Sequence, residues 1–378
     1  MIYLKKINPK ALFMTASILG SLTFAALQHT DLMWAIRNQG QEVVIDLLPT
    51  QSYRLQGVPG QDIHRVTPVV GPKIKVAVID TGIDVNHPDL KPYIINTPGK
   101  CEAYEQLLKC NAEKPDEALT TCRDQYLTAE ANVYPADCHG WSVADGDDLP
   151  RTSNNIIGRP DFTDSDRHGT HVAGTIVSVT QNVEIIPVQV IADGPNQPIK
   201  PFSYDLSPSE NIRQGYVDPT NLSERVSRAI IYAINAGAQV INLSLGWPAG
   251  QNSDIIFESI MEAQRRGIII VAAAGNDSTN ALLRPCQYKG VICVAAHSPD
   301  GSMAWFTNFG YGVDIAAPGV GILSTIPTHK RSRGLPGYPY DYLTGTSQAT
   351  PLVTGVIAEM LSRGIPANEV YARLILGA

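Results

Sequence analysis

Three short blocks of this 378-residue chain carry side chains that can do chemistry together. Asp80 lies in IDTGID, His168 opens HGTHVAGT, and Ser347 lies in GTSQATP. A serine hydroxyl attacks well only when a base within hydrogen-bond reach takes its proton, and that base needs a carboxylate to fix its tautomer and stabilise its charged form. Each residue has an ordinary reading by itself: a turn cap, a polar residue at a helix start, a helix N-cap. Together, each near a glycine, they describe nucleophilic acyl transfer. The order Asp, His, Ser excludes the α/β-hydrolase arrangement, which runs Ser, acid, His and carries GxSxG; Gly345-Thr346-Ser347-Gln348-Ala349 lacks the second glycine.

Residues so far apart in sequence must be brought together by rigid elements. IKVAVID, which ends at Asp80, is a continuous apolar run of the kind found in strands covered on both faces. VEIIPVQVI from Val183, AQVINLSLG from Ala238, GIIIVAAAG from Gly267 and GVICVAA from Gly290 share that style. Between them, Ser223 to Ala236 and Asp254 to Arg266 show helical periodicity and stop at Gly237 and Gly267. Alternating strands and helices predict one α/β domain with a doubly wound, mainly parallel sheet over residues 73–378. Two segments interrupt it. Residues of about 91–138 hold four cysteines and little periodicity, which predicts a disulfide-bearing insertion; about 193–221 reads as a surface loop.

Composition narrows the function further. The chain carries 36 acidic and 29 basic residues without a basic cluster, so nucleic acid is not an expected partner. Lys5, Lys6 and Lys10 precede an uncharged apolar stretch from Ala11 to Leu27, the pattern of a signal peptide over about 1–28. The expected location is secreted or periplasmic, with a membrane partner only if that segment stays uncleaved. Cys101, Cys110, Cys122, Cys138, Cys286 and Cys293 are even in number, as disulfides in an oxidising compartment require. A zinc site is the competing reading, but no CxxC pair occurs and only His139 adjoins a cysteine.

VAVIDTGID, HGTHVAGT, VINLSLG, AAGN and GTSxATP occur in the order in which subtilisin-like (S8 family) serine proteases carry them, and the chain resembles that family from about Lys73 onward. The resemblance implies a secreted serine endopeptidase acting through an acyl-enzyme, with Asp80, His168 and Ser347 as triad and Asn276 as oxyanion donor beside the Ser347 main-chain N–H. It implies that His171 is structural. Ser244, Leu245, Gly246, Ala274 and Gly275 would hold an extended protein or peptide substrate and line the first specificity pocket. Cys286 and Cys293 would pair and shape that pocket's wall, whereas the resemblance leaves the pairing of the other four open.

The chain also departs from the family pattern. The segment 29–72 is shorter than the usual folded pro-domain, so it reads as an N-terminal segment or a short pro-remnant. No cofactor is required for the chemistry. Asp89 in HPDL matches a frequent calcium ligand, but the chain between His168 and Ile191 leaves no room for the loop that supplies the other oxygens. Asp145, Asp147 and Asp148 read as a solvated acidic turn. Gln348 stands where relatives carry methionine.

Overall fold

The computed structural model describes residues 35, 42–48, 51–56, 71–113, 137–144, 164, 166–191, 219–248, 254–330, 332 and 338–378. The signal-peptide expectation for 1–28, the acidic turn at Asp145, Asp147 and Asp148, and Cys122 lie outside them.

Apolar runs without alternation need cover on both faces, and a single strand shows how they get it. In β3 (Ile74–Asp80), Val76 and Val78 enter one hydrophobic cluster while Ala77 and Ile79 enter the other. The same strand therefore glues two layers of helices to the sheet. On one face pack α2 (His168–Val179) and α5 (Thr346–Ser362); on the other, α3 (Pro219–Asn235) and α4 (Asp254–Arg265).

The sheet has seven strands in the order β4-β5-β3-β6-β7-β8-β9, and every neighbouring pair is parallel. Its other members are β4 (Trp141–Ser142), β5 (Val183–Gln189), β6 (Val240–Leu243), β7 (Ile269–Ala273), β8 (Val291–His297) and β9 (Ile315–Pro318). Antiparallel pairs are formed by β1 (Glu42–Leu48) with β2 (Gln51–Gln56), and by β10 (Ile322–Thr325) with β11 (Tyr340–Leu343). The chain closes with α6 (Ala367–Leu376). This is the doubly wound α/β fold expected, with strand and helix ends within a few residues of their predicted places. Among the described residues, no helix is long and apolar enough to cross a membrane.

The insertion differs from expectation in one respect. It contains α1 (Pro98–Glu113), which opens on Pro98, a favoured first helical residue. Its apolar residues form only a weak stripe, so periodicity gave no signal. A disulfide from Cys101 to Cys138 and an ion pair from Lys100 to Asp137 anchor it.

Candidate active site

Asp80 is the last residue of β3 and His168 the first of α2, so both lie where parallel strands end and their connecting elements begin. Gly169 allows this approach: a Cβ there would lie 2.1 Å from the Gly82 carbonyl oxygen. His168 Nδ1 donates to Asp80 Oδ1 at 2.7 Å, and the Thr81 N–H donates to the same oxygen at 2.8 Å. The ring is 25% exposed against 2% for the carboxylate. Burial by itself would depress the imidazole, but the Asp80 carboxylate, aided by Asp166 and Asp164, overrides it and pushes the pKa up to about 9. With Nδ1 committed as a donor, Nε2 is the proton-accepting atom of the neutral ring.

A residue that sequence reasoning missed holds these two elements together. Asp164 is fully buried, and its Oδ1 accepts from Thr81 Oγ1 at 2.9 Å and the Asp166 N–H at 3.1 Å. Its Oδ2 accepts from the Thr170 N–H at 3.0 Å and Thr170 Oγ1 at 2.5 Å. Thr81 Oγ1 accepts in turn from the Gly169 N–H at 2.9 Å. The first turn of α2 thus finds acceptors for its orphan N–H groups in Thr81 and Asp164, with no side-chain cap from Arg167. Burial, more than any partner, raises the Asp164 pKa to about 7. Arg167 is occupied elsewhere, 2.9 Å from Asp341.

His171, one turn further along, behaves oppositely. It is completely buried, its Nε2–H faces the Ile322 and Asp341 carbonyl oxygens at 2.9 and 3.2 Å, and burial drives its pKa down to about 3. A ring kept neutral and internally bonded is structural, as expected.

Ser347 sits in the first turn of α5 and is half-buried. Pro351 lacks the N–H that would normally donate to the Ser347 carbonyl, and Ser244 Oγ takes its place at 2.8 Å. Asn276, exposed beyond the end of β7, accepts from the Thr346 N–H at 2.9 Å and Thr346 Oγ1 at 3.0 Å. The atom facing an N–H donor must be Oδ1, so the amide is turned to present Nδ2 elsewhere. Buried Asn308, also missed, steadies that loop by accepting the Asp277 N–H and donating to the Ala274 carbonyl. The structure thus joins Asp80 to His168, and Ser347 to Asn276 and Ser244 through main-chain and neighbouring groups. Among the described residues no hydrogen bond links Ser347 Oγ to His168; such bonds are commonly long without substrate.

The anticipated substrate-binding strand ends are used unevenly. Ala274 spends its N–H on the Val294 carbonyl, and the Gly275 carbonyl accepts from the Asn308 N–H. Among the described residues, Leu245 and Gly246 make no main-chain hydrogen bond within the protein, leaving that edge open to a peptide. Cys286 and Cys293 form the expected disulfide.

Asp89, the residue matched to a frequent calcium ligand, has a protein partner on one oxygen. It is buried, and its Oδ2 accepts from the Tyr340 hydroxyl, a neutral donor. Among the described residues, the one cluster of three metal-ligating atoms is Cys101, Cys138 and His139, and its two sulfurs are bonded to each other. That pairing removes the ligands that zinc would use.

The Subtilase family model matches residues 71–373. A thermophilic serine proteinase of Bacillus sp. (strain AK1) is 30% identical over 290 residues, covering 77% of this chain and 52% of that protein. Thermitase of Thermoactinomyces vulgaris is 28% identical over 304 residues, 80% of each chain. The chain spans about half the length of several other curated relatives it matches. A solved cold adapted subtilisin-like serine proteinase aligns over 92% of both chains at 19% identity with a TM-score of 0.56, a likeness of fold.

Proposed function

The chain belongs to the subtilase family, and from that premise we propose that it is a serine endopeptidase with Ser347 as nucleophile, His168 as general base, Asp80 as its orienting carboxylate and Asn276 as oxyanion donor. The observation that carries the assignment is the 2.7 Å bond from His168 Nδ1 to Asp80, which fixes the tautomer and leaves the opposite ring edge free. Ser347 Oγ attacks the scissile carbonyl carbon while His168 Nε2 takes its proton. The carbonyl oxygen becomes an oxyanion, met by Asn276 Nδ2 and the Ser347 N–H. Collapse breaks the peptide C–N bond as the imidazolium returns its proton to the leaving amine. Water then attacks the acyl-enzyme by the same route in reverse. Asp80 holds the ring's orientation and stabilises its charged form.

Two features favour work outside the cytoplasm. The disulfides Cys101–Cys138 and Cys286–Cys293 suit an oxidising compartment, and the apolar run before Leu27 suits export. The substrate is a protein or peptide in extended form, since the free Leu245–Gly246 edge reads main chain rather than side chain.

Labelling by a fluorophosphonate probe tests the reading. Wild type should label at Ser347, and Ser347→Ala should neither label nor turn over peptide, with activity lost on the order of 10⁶-fold, the size of loss a subtilisin shows without its serine. A wild-type protein that folds and binds peptide but does not label would be a binding protein instead.

A further inference from the structure

The strand ends at Gly246 and Gly275 share one neighbour. A Cβ added at Gly246 would meet Leu283 Cβ at 3.1 Å and Cδ1 at 3.2 Å; one added at Gly275 would meet Leu283 Cδ1 at 2.8 Å. A single leucine side chain therefore stands against both glycine walls. Leu283 is half-buried and belongs to neither hydrophobic cluster.

The backbone beneath it is fixed on both sides. Arg284 N–H donates to the Trp247 carbonyl at 2.8 Å and Trp247 N–H to the Arg284 carbonyl at 3.0 Å, pairing the next residue with the Gly246 edge. Two residues further, Cys286 is bonded to Cys293 on β8. The adjacent guanidinium lies over the Tyr288 ring, 5.8 Å from its centroid, and the residue that meets both glycines is a hydrocarbon.

We propose that Leu283 closes the first specificity pocket and restricts cleavage to peptide bonds that follow a small uncharged residue such as glycine or alanine. The two walls carry no side chains of their own, but the one leucine that stands against both takes up the space a large ring would need. Inserting an aromatic would overpack a site whose backbone is pinned. This inference rests on the endopeptidase reading and names its substrate class.

The test uses extended fluorogenic peptides differing only before the scissile bond, carrying alanine, valine, leucine or phenylalanine. Wild type should give kcat/KM for alanine at least about 10²-fold above phenylalanine, because a side chain that does not fit loses transition-state binding. Leu283→Gly should reverse the order, chiefly by raising the phenylalanine value; Leu283→Ala should do so partially and guards against a glycine variant that folds poorly. Equal wild-type rates for alanine and phenylalanine, or an unchanged ratio in both folded variants, would overturn the proposal. Absence of turnover together with absence of fluorophosphonate labelling at Ser347 would instead overturn the endopeptidase reading, and the pocket assignment with it. Labelling with size-blind cleavage removes only the role of Leu283.

Discussion

Two regions of this molecule each place a histidine beside a buried carboxylate, and they do opposite things with the pair. At the end of β3, Asp80 accepts a bond from His168, whose pKa rises while a quarter of its ring stays exposed. At the turn holding His87 and Asp89, the carboxylate accepts from Tyr340, while His87 accepts the Asp89 N–H and its Nε2–H faces the Pro339 carbonyl at 3.2 Å. Burial lowers the His87 pKa, and burial raises that of Tyr340. Both ring nitrogens of His87 and one oxygen of Asp89 thus have internal uses. A proton-handling pair therefore requires more than proximity: the carboxylate must face the ring nitrogen, and the far nitrogen must be left over.

Asp80→Asn strikes hardest at this contrast. An amide offers Nδ1 the wrong hydrogen-bonding partner, and kcat should fall about 10⁴-fold. The acidic limb of the pH profile should move as well. Since the base works only when neutral, wild-type kcat/KM should climb with pH through a pKa above the ordinary histidine value, towards 9. Removing the carboxylate that raises it should shift that limb to lower pH. A limb that stays put in the variant would separate Asp80 from the base.

Asp164→Asn probes the clamp rather than the pair. Its NH₂ must face donors, either Thr170 N–H and Oγ–H or Thr81 Oγ–H and Asp166 N–H, so the first turn of α2 loses acceptors. Misplacing His168 by a fraction of an ångström should lower kcat about 10²-fold with KM little changed. Denaturant titration should show a loss of about 1–3 kcal/mol. A variant with reduced stability and normal kcat would make Asp164 purely structural.

The smallest effect on catalysis is expected from Tyr340→Phe, which leaves Asp89 buried without its hydroxyl partner. Stability should drop about 1–3 kcal/mol while kcat/KM holds. In the wild type, the melting temperature should not respond to EDTA, because ligand removal destabilises only a protein that binds the ligand. A fall of several degrees recovered by calcium would reverse the contrast, placing a cation near Asp89 after all.

What was legible in the sequence is local. The strand ending at Asp80, the helix opening at His168 and the one around Ser347 each announce themselves through contiguous apolar runs and short glycine-bearing blocks. Asp164, Asn308 and Leu283 do not, because each takes at least one neighbour from distant chain: Thr81 lies 83 residues from Asp164, and Ala274 lies 34 from Asn308. Tyr340 is 251 residues from Asp89, so no spacing argument could have paired them. Helix α1 escaped notice for a different reason, since its anchors are a disulfide and an ion pair rather than an apolar stripe.

The proline in the helix of Ser347 reaches further than its own turn. By withholding an N–H it opens a position on the Ser347 carbonyl that Ser244, 103 residues earlier, fills. Two addresses in the sequence thus specify one contact, and heredity should treat them as one character. Restoring a donor at position 351 would set two donors against one carbonyl; losing the hydroxyl at 244 alone would strand that carbonyl and take from Asn242 Nδ2 its acceptor. A change at either site is therefore felt at the other, which ties the helix of Ser347 to the strand end at Ser244.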